Sequence, residues 1–270
     1  MSDRSVAIAG LGAIGAPVAK ALLAGDVPGM TLVAASARDH AKARKTLGVS
    51  GASVPLVGLE DLAAMADIIV EAMPASAFDD VAWPVVEQGK TLIALSVGCL
   101  LDRQDLIDRA KETGATVMAP TGAILGLDAV RAAAEGEIES ALVETRKPPQ
   151  GLVGAPYLVE NDIQVEGITE PLCIFDGAVR DAVKAFPANV NVSAAVSLAG
   201  IGPDKTRIKL WADPGVSRNT HTVTVVADST RFTMTIEGVP SPDNPRTGML
   251  TPNSALATLR RMGATLVVGT

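Results

Sequence analysis

The stretch Val6–Gly15, V-A-I-A-G-L-G-A-I-G, decides the fold. Its first four residues, Val6 to Ala9, form a short apolar run without alternation, the pattern of a strand buried on both faces. Gly10, Gly12 and Gly15 follow as G-x-G-x-x-G, and an alanine-rich helical pattern runs from Ala16 to Leu23. In a strand–turn–helix the three glycines have separate tasks. Gly10 makes the tight turn. Gly12 lets the backbone approach a pyrophosphate. Gly15 lets the helix pack close on the strand. The unpaired N–H groups of the helix start face the phosphates. The expectation is a dinucleotide-binding loop made of Gly10, Gly12 and Gly15 with Ala13 and Ile14 between them.

Working outward, strand and helix patterns alternate up to about residue 120, as in a parallel sheet with crossover helices. Strands are expected at Thr31–Ala35, Ile68–Ala72, Thr91–Leu95 and Thr116–Ala119. Helices are expected at Arg38–Leu47, Leu59–Met65, Phe78–Glu87 around Pro84, and from Asp102. The pattern then changes. Gly122–Ala134 reads as a small-residue helix, Ala141–Arg146 as a strand, and Asp176–Ala185 and Val190–Ala199 as helices. Thr206–Trp211, Asn219–Ala227 and Arg231–Glu237 alternate with short gaps, which predicts an antiparallel meander. In the tail, Thr251 reads as a cap and Pro252 as the first residue of a helix to Met262, with a short strand at Leu266–Val268. The fold class expected is α/β: a Rossmann dinucleotide-binding domain over residues 1–120 and 246–270, and an α+β domain over 121–245 with a mainly antiparallel sheet.

Composition narrows the function. The chain has 270 residues, 48% hydrophobic but only 3% aromatic, so its core is built of Ala, Val, Leu and Ile. A net charge of −7 argues against a nucleic-acid surface. No apolar run approaches the ~18 residues that span a bilayer, so no membrane association is expected. The opening M-S-D-R-S-V lacks a basic-then-apolar leader, and Cys99 and Cys173 are isolated, without metal spacing. A cytoplasmic location with reduced thiols and no metal is expected.

The second strand ends Ala34-Ala35-Ser36-Ala37-Arg38, with no carboxylate before Asp39. An NAD site usually places Asp or Glu there for the ribose 2′-hydroxyl. Ser36 and Arg38 suit a 2′-phosphate instead, so the reading favours NADP with NAD tolerated. Arg38 reads equally as the first charge of a solvated helix. Glu71, at the end of a strand, reads as structural more readily than as catalytic, and Ala72–Pro74 as lining the nicotinamide ribose.

Only two histidines are present, His40 on a charged helix and His221 near the start of a strand. His221, Val223 and Val225 share one face by the two-residue period. Alone, that face suggests a half-buried structural imidazole. Beside a dinucleotide site, a group titrating near neutrality is suited to proton transfer. Asn189 and Asn191 read both as helix caps and as amides for the nicotinamide or the substrate. The turn Pro120-Thr121-Gly122-Ala123 offers N–H groups to a carboxylate or carboxamide. Lys205, Arg207, Lys209 and Arg218 are candidate partners for substrate carboxylates.

Several segments together resemble the L-aspartate dehydrogenase family. They are G-L-G-A-I-G at 10–15, P-T-G-A-I-L-G-L-D-A-V at 120–130, A-F-P-A-N-V-N-V-S-A-A-V-S-L-A-G-I-G-P-D at 185–204, A-D-P…N-T-H at 212–221 and N-P-R-T-G-M-L-T at 244–251. The resemblance covers nearly the whole chain. It implies NAD- or NADP-dependent oxidation of L-aspartate to iminoaspartate, which hydrolyses to oxaloacetate and ammonia. It also implies His221 as the catalytic residue, Ala123 and Asn189 as cofactor-binding positions, and a homodimer that feeds iminoaspartate to pyridine-nucleotide biosynthesis. Thr121 and Asn191 are the substrate-binding candidates. Thr121 stands where Ser is frequent and keeps the hydroxyl; Gly248 is a second departure. Rival readings are a dihydrodipicolinate-reductase-like or homoserine-dehydrogenase-like enzyme, or a non-catalytic NADP-binding sensor.

Overall fold

The computed structural model describes residues 3–187, 189–241 and 247–269. The chain divides into two compact units, Met1–Gly122 with Thr251–Val268, and Ala123–Leu250 with Gly269–Thr270.

The first unit is built on five strands: β1 (Arg4–Ala9), β2 (Met30–Ser36), β3 (Ile68–Glu71), β4 (Thr91–Ala94) and β5 (Thr116–Met118). They pair in the order β2-β1-β3-β4-β5, all parallel. Val6, Ala7, Ile8 and Ala9 are fully buried, which is why β1 carries no alternation. Helix α1 (Gly15–Leu23) follows the glycine turn, and α2 (His40–Leu47) is capped by Asp39, whose carboxylate accepts from the Lys42 N–H at 2.9 Å. One core gathers Val6 and Ile8 of β1, Val18 and Leu22 of α1, and Ile68, Val70 and Ile93. Helix α10 (Leu250–Met262) contributes Ala255, Leu256 and Leu259 to it. Helices α3 (Leu62–Met65), α4 (Phe78–Glu87) and α5 (Gln104–Thr113) complete the unit. Pro84 lies inside α4 and removes one ladder donor. The helix persists because Phe78, Val81, Ala82, Val85 and Val86 bury its face.

The second unit holds β6 (Ile138–Lys147), β7 (Leu172–Ala178), β8 (Arg207–Ala212), β9 (Asn219–Ala227) and β10 (Arg231–Gly238). Their order is β10-β9-β6-β8-β7. β6 pairs parallel to β8 and antiparallel to β9, so the sheet is mixed. Helices α6 (Leu127–Ala134), α7 (Pro156–Glu160), α8 (Val179–Ala185) and α9 (Asn191–Ala199) accompany it. Val130 and Ala133 of α6 and Val192 and Val196 of α9 bury Ala141, Val143, Val223 and Val225. That fixes the core face of β9, and of β6 from Ala141 onward, as the one carrying the odd-numbered residues.

Five expectations are corrected. The three late strands form no meander: β6 inserts between β8 and β9, and only β9 and β10 make a hairpin. The helix expected over 122–134 starts at Leu127, because Gly122 and Gly126 adopt φ +63° and +71°, which ends regular helix there. Residues 172–178 are a strand registered on β8, so the helix expected from Asp176 begins at Val179. Helix α10 begins at Leu250, ahead of Thr251 and Pro252. Leu266–Val268 forms no strand and is exposed. Part of the 244–251 segment lies outside the described residues.

Candidate active site

The glycine loop shows what a dinucleotide requires. Gly10 has φ +94°, and a Cβ there would lie 2.7 Å from the Ala72 carbonyl oxygen. A Cβ on Gly15 would overlap the Gly10 carbonyl. A Cβ on Gly12 would meet no protein atom within 4 Å. Gly10 and Gly15 are therefore demanded by the fold, whereas Gly12 keeps clear a space that the chain itself does not fill. That is the cradle expected for a pyrophosphate at the start of α1. Ala13 and Ile14 lead into α1, with Ile14 at its N-cap. The residues present fit the cofactor.

At the end of β2 the Ser36 carbonyl accepts from the Gly10 N–H at 2.9 Å, tying the two strand ends together. Ser36 is buried and Arg38 exposed. The carboxylate of Asp39 is spent on capping α2. Glu71, at the end of β3, is wholly buried. It accepts from the N–H groups of Met73 at 2.9 Å, Leu95 at 3.1 Å and Ser96 at 2.9 Å, and from the Ser96 hydroxyl at 3.0 Å. Burial pushes its carboxyl above the usual range while these donors pull it back. Glu71 is a brace for the strand ends beside the glycine turn.

In the second unit, β9 places His221 opposite Thr145 of β6 and Ile236 of β10. His221 is 4% exposed and its Nδ1 lies 2.9 Å from the Thr145 Oγ1. Two residues on, on the same face of β6, stands Lys147, also buried. Desolvation first, and the Lys147 charge second, push the imidazole down to about 3. His221 is thus a neutral imidazole with one nitrogen engaged by a hydroxyl. The Lys147 Nζ donates to the Asn189 Oδ1 at 2.8 Å.

The turn that carries Asn189 is fixed by aromatic packing. The Asn189 N–H donates to the Phe186 carbonyl at 2.9 Å. Phe186 is fully buried against Tyr157 of α7 and Phe175 of β7, with centroids 5.1 and 5.9 Å away. Neither asparagine caps α9, as the sequence allowed: the N-cap is Val190, without a side-chain bond, and Asn191 is the first helical residue.

The structure therefore joins His221 and Asn189 through Thr145 and Lys147. Sequence reading missed both linking residues. Their signal was a polar pair at 145 and 147 continuing the apolar face of Ala141 and Val143. Other candidates are committed elsewhere. Arg207 pairs with Asp176 at 2.6 Å, and Lys209 approaches the same carboxylate at 3.9 Å. Lys205 and Arg218 are exposed, as is His40. The Gly122 N–H is taken by the Ser254 Oγ at 3.0 Å, so the 121–123 turn offers fewer donors than expected. Thr121 is exposed, and Ala123 packs beside the α6–α9 core. Among the described residues no group of three or more His, Cys, Asp and Glu side chains converges as a metal site, and no helix is long and apolar enough to cross a membrane.

Comparison with known proteins finds a match to a family model in each part of the chain. Residues 10–120 match the family model described as homoserine dehydrogenase, NAD binding domain. Residues 128–262 match aspartate dehydrogenase, C-terminal. The second match contains Thr145, Lys147, Asn189 and His221. L-aspartate dehydrogenase 3 of Bordetella bronchiseptica is 49% identical over 100% of both chains. The L-aspartate dehydrogenase of Bradyrhizobium diazoefficiens is 48% identical over 100% of this chain and 95% of its own. Among solved structures, the aspartate dehydrogenase of Thermotoga maritima shares the fold with a TM-score of 0.75, at 24% identity, over 98% of this chain and 99% of its own.

Proposed function

The chain belongs to the L-aspartate dehydrogenase family, and from that premise we propose that it oxidises L-aspartate to iminoaspartate with His221 as acid/base. It is an oxidoreductase that binds NAD(P) through the first unit. The net reaction takes L-aspartate, water and NAD(P)+ to oxaloacetate, ammonium, NAD(P)H and a proton. The single observation that carries the assignment is the buried, neutral imidazole of His221, fixed by Thr145 beside a lysine.

Gly10, Gly12, Ala13, Ile14 and Gly15 would hold the pyrophosphate, and Ala123 and Asn189 are the positions proposed toward the nicotinamide. When bound, the nicotinamide supplies the hydride acceptor. The chain's own task is proton management. An ammonium has no lone pair to assist loss of hydride from Cα, so the amine must first be deprotonated. His221 is neutral and accepts that proton. The imidazolium releases that proton to solvent, which is the proton of the net reaction; water then adds to the iminium carbon with neutral His221 taking its proton, and the imidazolium returns that proton to the departing amine. The Thr145 hydroxyl holds Nδ1, which leaves Nε2 as the exchanging nitrogen.

We further propose a preference for NADP, supported by Ser36 and Arg38 at the end of β2 and by the diversion of Asp39 to capping. Thr121 and Asn191 are proposed as substrate contacts. A cytoplasmic homodimer supplying iminoaspartate to pyridine-nucleotide biosynthesis is proposed on the family resemblance. The test is turnover of L-aspartate with NADP+ and NAD+, and of oxaloacetate with ammonia and NADPH, in wild type and Arg38→Ala. Ammonia-dependent oxidation of NADPH supports the reading. In Arg38→Ala, a roughly tenfold loss of NADPH affinity with NADH affinity unchanged supports the cofactor preference. Equal affinities in both proteins would refute it.

A further inference from the structure

Asn189 is the one polar side chain in an apolar wall. Among the described residues it shares a recess of about 110 Å³ with residues 151–156, Phe186 and Pro187, all of them apolar or glycine. A ligand group that needs a side-chain hydrogen bond there has the Asn189 amide as its partner. Which half of that amide it meets decides what the ligand must offer, because the oxygen accepts and the nitrogen donates.

Two bonds fix the residue. The Asn189 N–H donates to the Phe186 carbonyl at 2.9 Å, which anchors the main chain. The Asn189 Oδ1 accepts from the Lys147 Nζ at 2.8 Å, which anchors the side chain. Lys147 is buried at the end of β6 and lies outside the wall of the recess. An ammonium has three donors and no lone pair. The amide half that faces it must therefore be the oxygen. The reversed amide would set donor against donor and forfeit a charge-assisted bond. With Oδ1 committed to the lysine, the NH2 half is the one left toward a ligand. An amide held in one orientation also spares the ligand the entropy of ordering it.

We propose that Lys147 is a positioning residue: it turns the Asn189 amide so that its NH2 donates to an acceptor oxygen, which in the nicotinamide is the carboxamide carbonyl. The proposal rests on the placing of Asn189 toward the nicotinamide made above. It uses only the bond between Lys147 and Asn189, whatever else the ammonium donates to. Asn189 then reads the carbonyl of the carboxamide and not its NH2. A pyridine ring carrying a carbonyl without an amine should seat equally well at this side chain.

The test is calorimetric titration of the full chain with NADPH and with its 3-acetylpyridine analogue, which keeps the carbonyl and has a methyl group in place of the NH2. Wild type is expected to bind the two within about threefold of each other. Asn189→Asp keeps an oxygen for Lys147 and removes the donor. It should melt like wild type without cofactor and lose affinity for the analogue by roughly 10- to 100-fold, because a donor is replaced by a second acceptor. Lys147→Met frees the amide and should weaken the analogue by about 3- to 10-fold, the range of one net hydrogen bond. Lys147→Gln can present its own NH2 to Oδ1 and should recover most of that loss, which a role of the lysine as a filler or as a bare charge would not allow. Wild-type affinity of Asn189→Asp for the analogue overturns the donor assignment, as does a wild type that holds NADPH and loses the analogue tenfold or more. Lys147→Met as tight as wild type, or Lys147→Gln as weak as Lys147→Met, overturns the role of Lys147. Asn189→Leu, which has no polar end, separates failure of the proposal from failure of its premise. If it too binds both cofactors like wild type, the placing of Asn189 at the nicotinamide falls as well.

Discussion

Thr145 and His221 face each other across the β6–β9 pair, with the Thr145 Oγ1 2.9 Å from the His221 Nδ1. Thr145 is as buried as the imidazole it holds. A hydroxyl in that position engages Nδ1 and fixes the ring's rotation.

Replacing Thr145 by the isosteric Val removes the bond and keeps the volume. Thr145→Val is expected to lower kcat for aspartate oxidation by about 10- to 100-fold, in the range general acid–base positioning commands. NADH affinity should not change, and Thr145→Ser should restore most of the rate. Steady-state kinetics of the two variants checks this. A Val variant as fast as wild type would show that the hydroxyl does not set the imidazole.

His221 also makes stability depend on pH. Its folded pKa lies near 3 against an ordinary 6.5. The unfolded chain therefore binds a proton that the folded chain refuses between those values, and stability falls as pH drops from 6.5 toward 3. Every tenfold drop in proton affinity on folding is worth about 1.4 kcal/mol, so the loss reaches a few kcal/mol. Asp67, Asp79 and Asp213 are lowered below an ordinary 3.8, so they enter only at the acid end of that window. Urea unfolding at pH 7, 6, 5 and 4.5 should show a slope that His221→Gln flattens. An unchanged slope would place the pH dependence elsewhere.

The three glycines should separate by readout. Gly12→Ala adds a Cβ into space free of protein atoms, so Tm should hold while NADPH affinity drops by about tenfold through collision with the pyrophosphate. Gly15→Ala sets a Cβ against the Gly10 carbonyl, and should destabilise by about 1–3 kcal/mol through overpacking. Thermal melts with and without NADPH distinguish the two. Equal melting losses would contradict the assignment of Gly12 to the cofactor.

Glu71→Gln replaces one acceptor oxygen with an amide donor among four groups that all donate to Glu71. At least one buried donor is left unpaired, at a cost of about 1–3 kcal/mol. The expected result is a lower Tm with kcat nearly unchanged once NADPH is bound. Loss of kcat at full saturation would return Glu71 to the catalytic candidates.

The first unit was legible because its signals are local. The run from Val6 to Ala9 and the spacing of Gly10, Gly12 and Gly15 state strand, turn and helix within eighteen residues of one another. The second unit was less so, because β6 pairs with strands that lie sixty and more residues onward. Short gaps between β8 and β9 suggested a hairpin, and nothing local reveals that β6 slips between them. His221 stood out by its rarity and by the family resemblance. Thr145 and Lys147 did not, because a lysine before Pro148-Pro149 reads as the end of a strand, and its neighbour at 221 appears only when β6 and β9 are paired.

The most direct measurement compares wild type with His221→Ala for NADPH formation from L-aspartate and NADP+, with NADPH binding measured on both proteins. The account predicts that wild type turns over aspartate, and that the variant loses turnover by about 100-fold or more while binding NADPH with unchanged affinity. Wild-type turnover in the variant would contradict the role of His221.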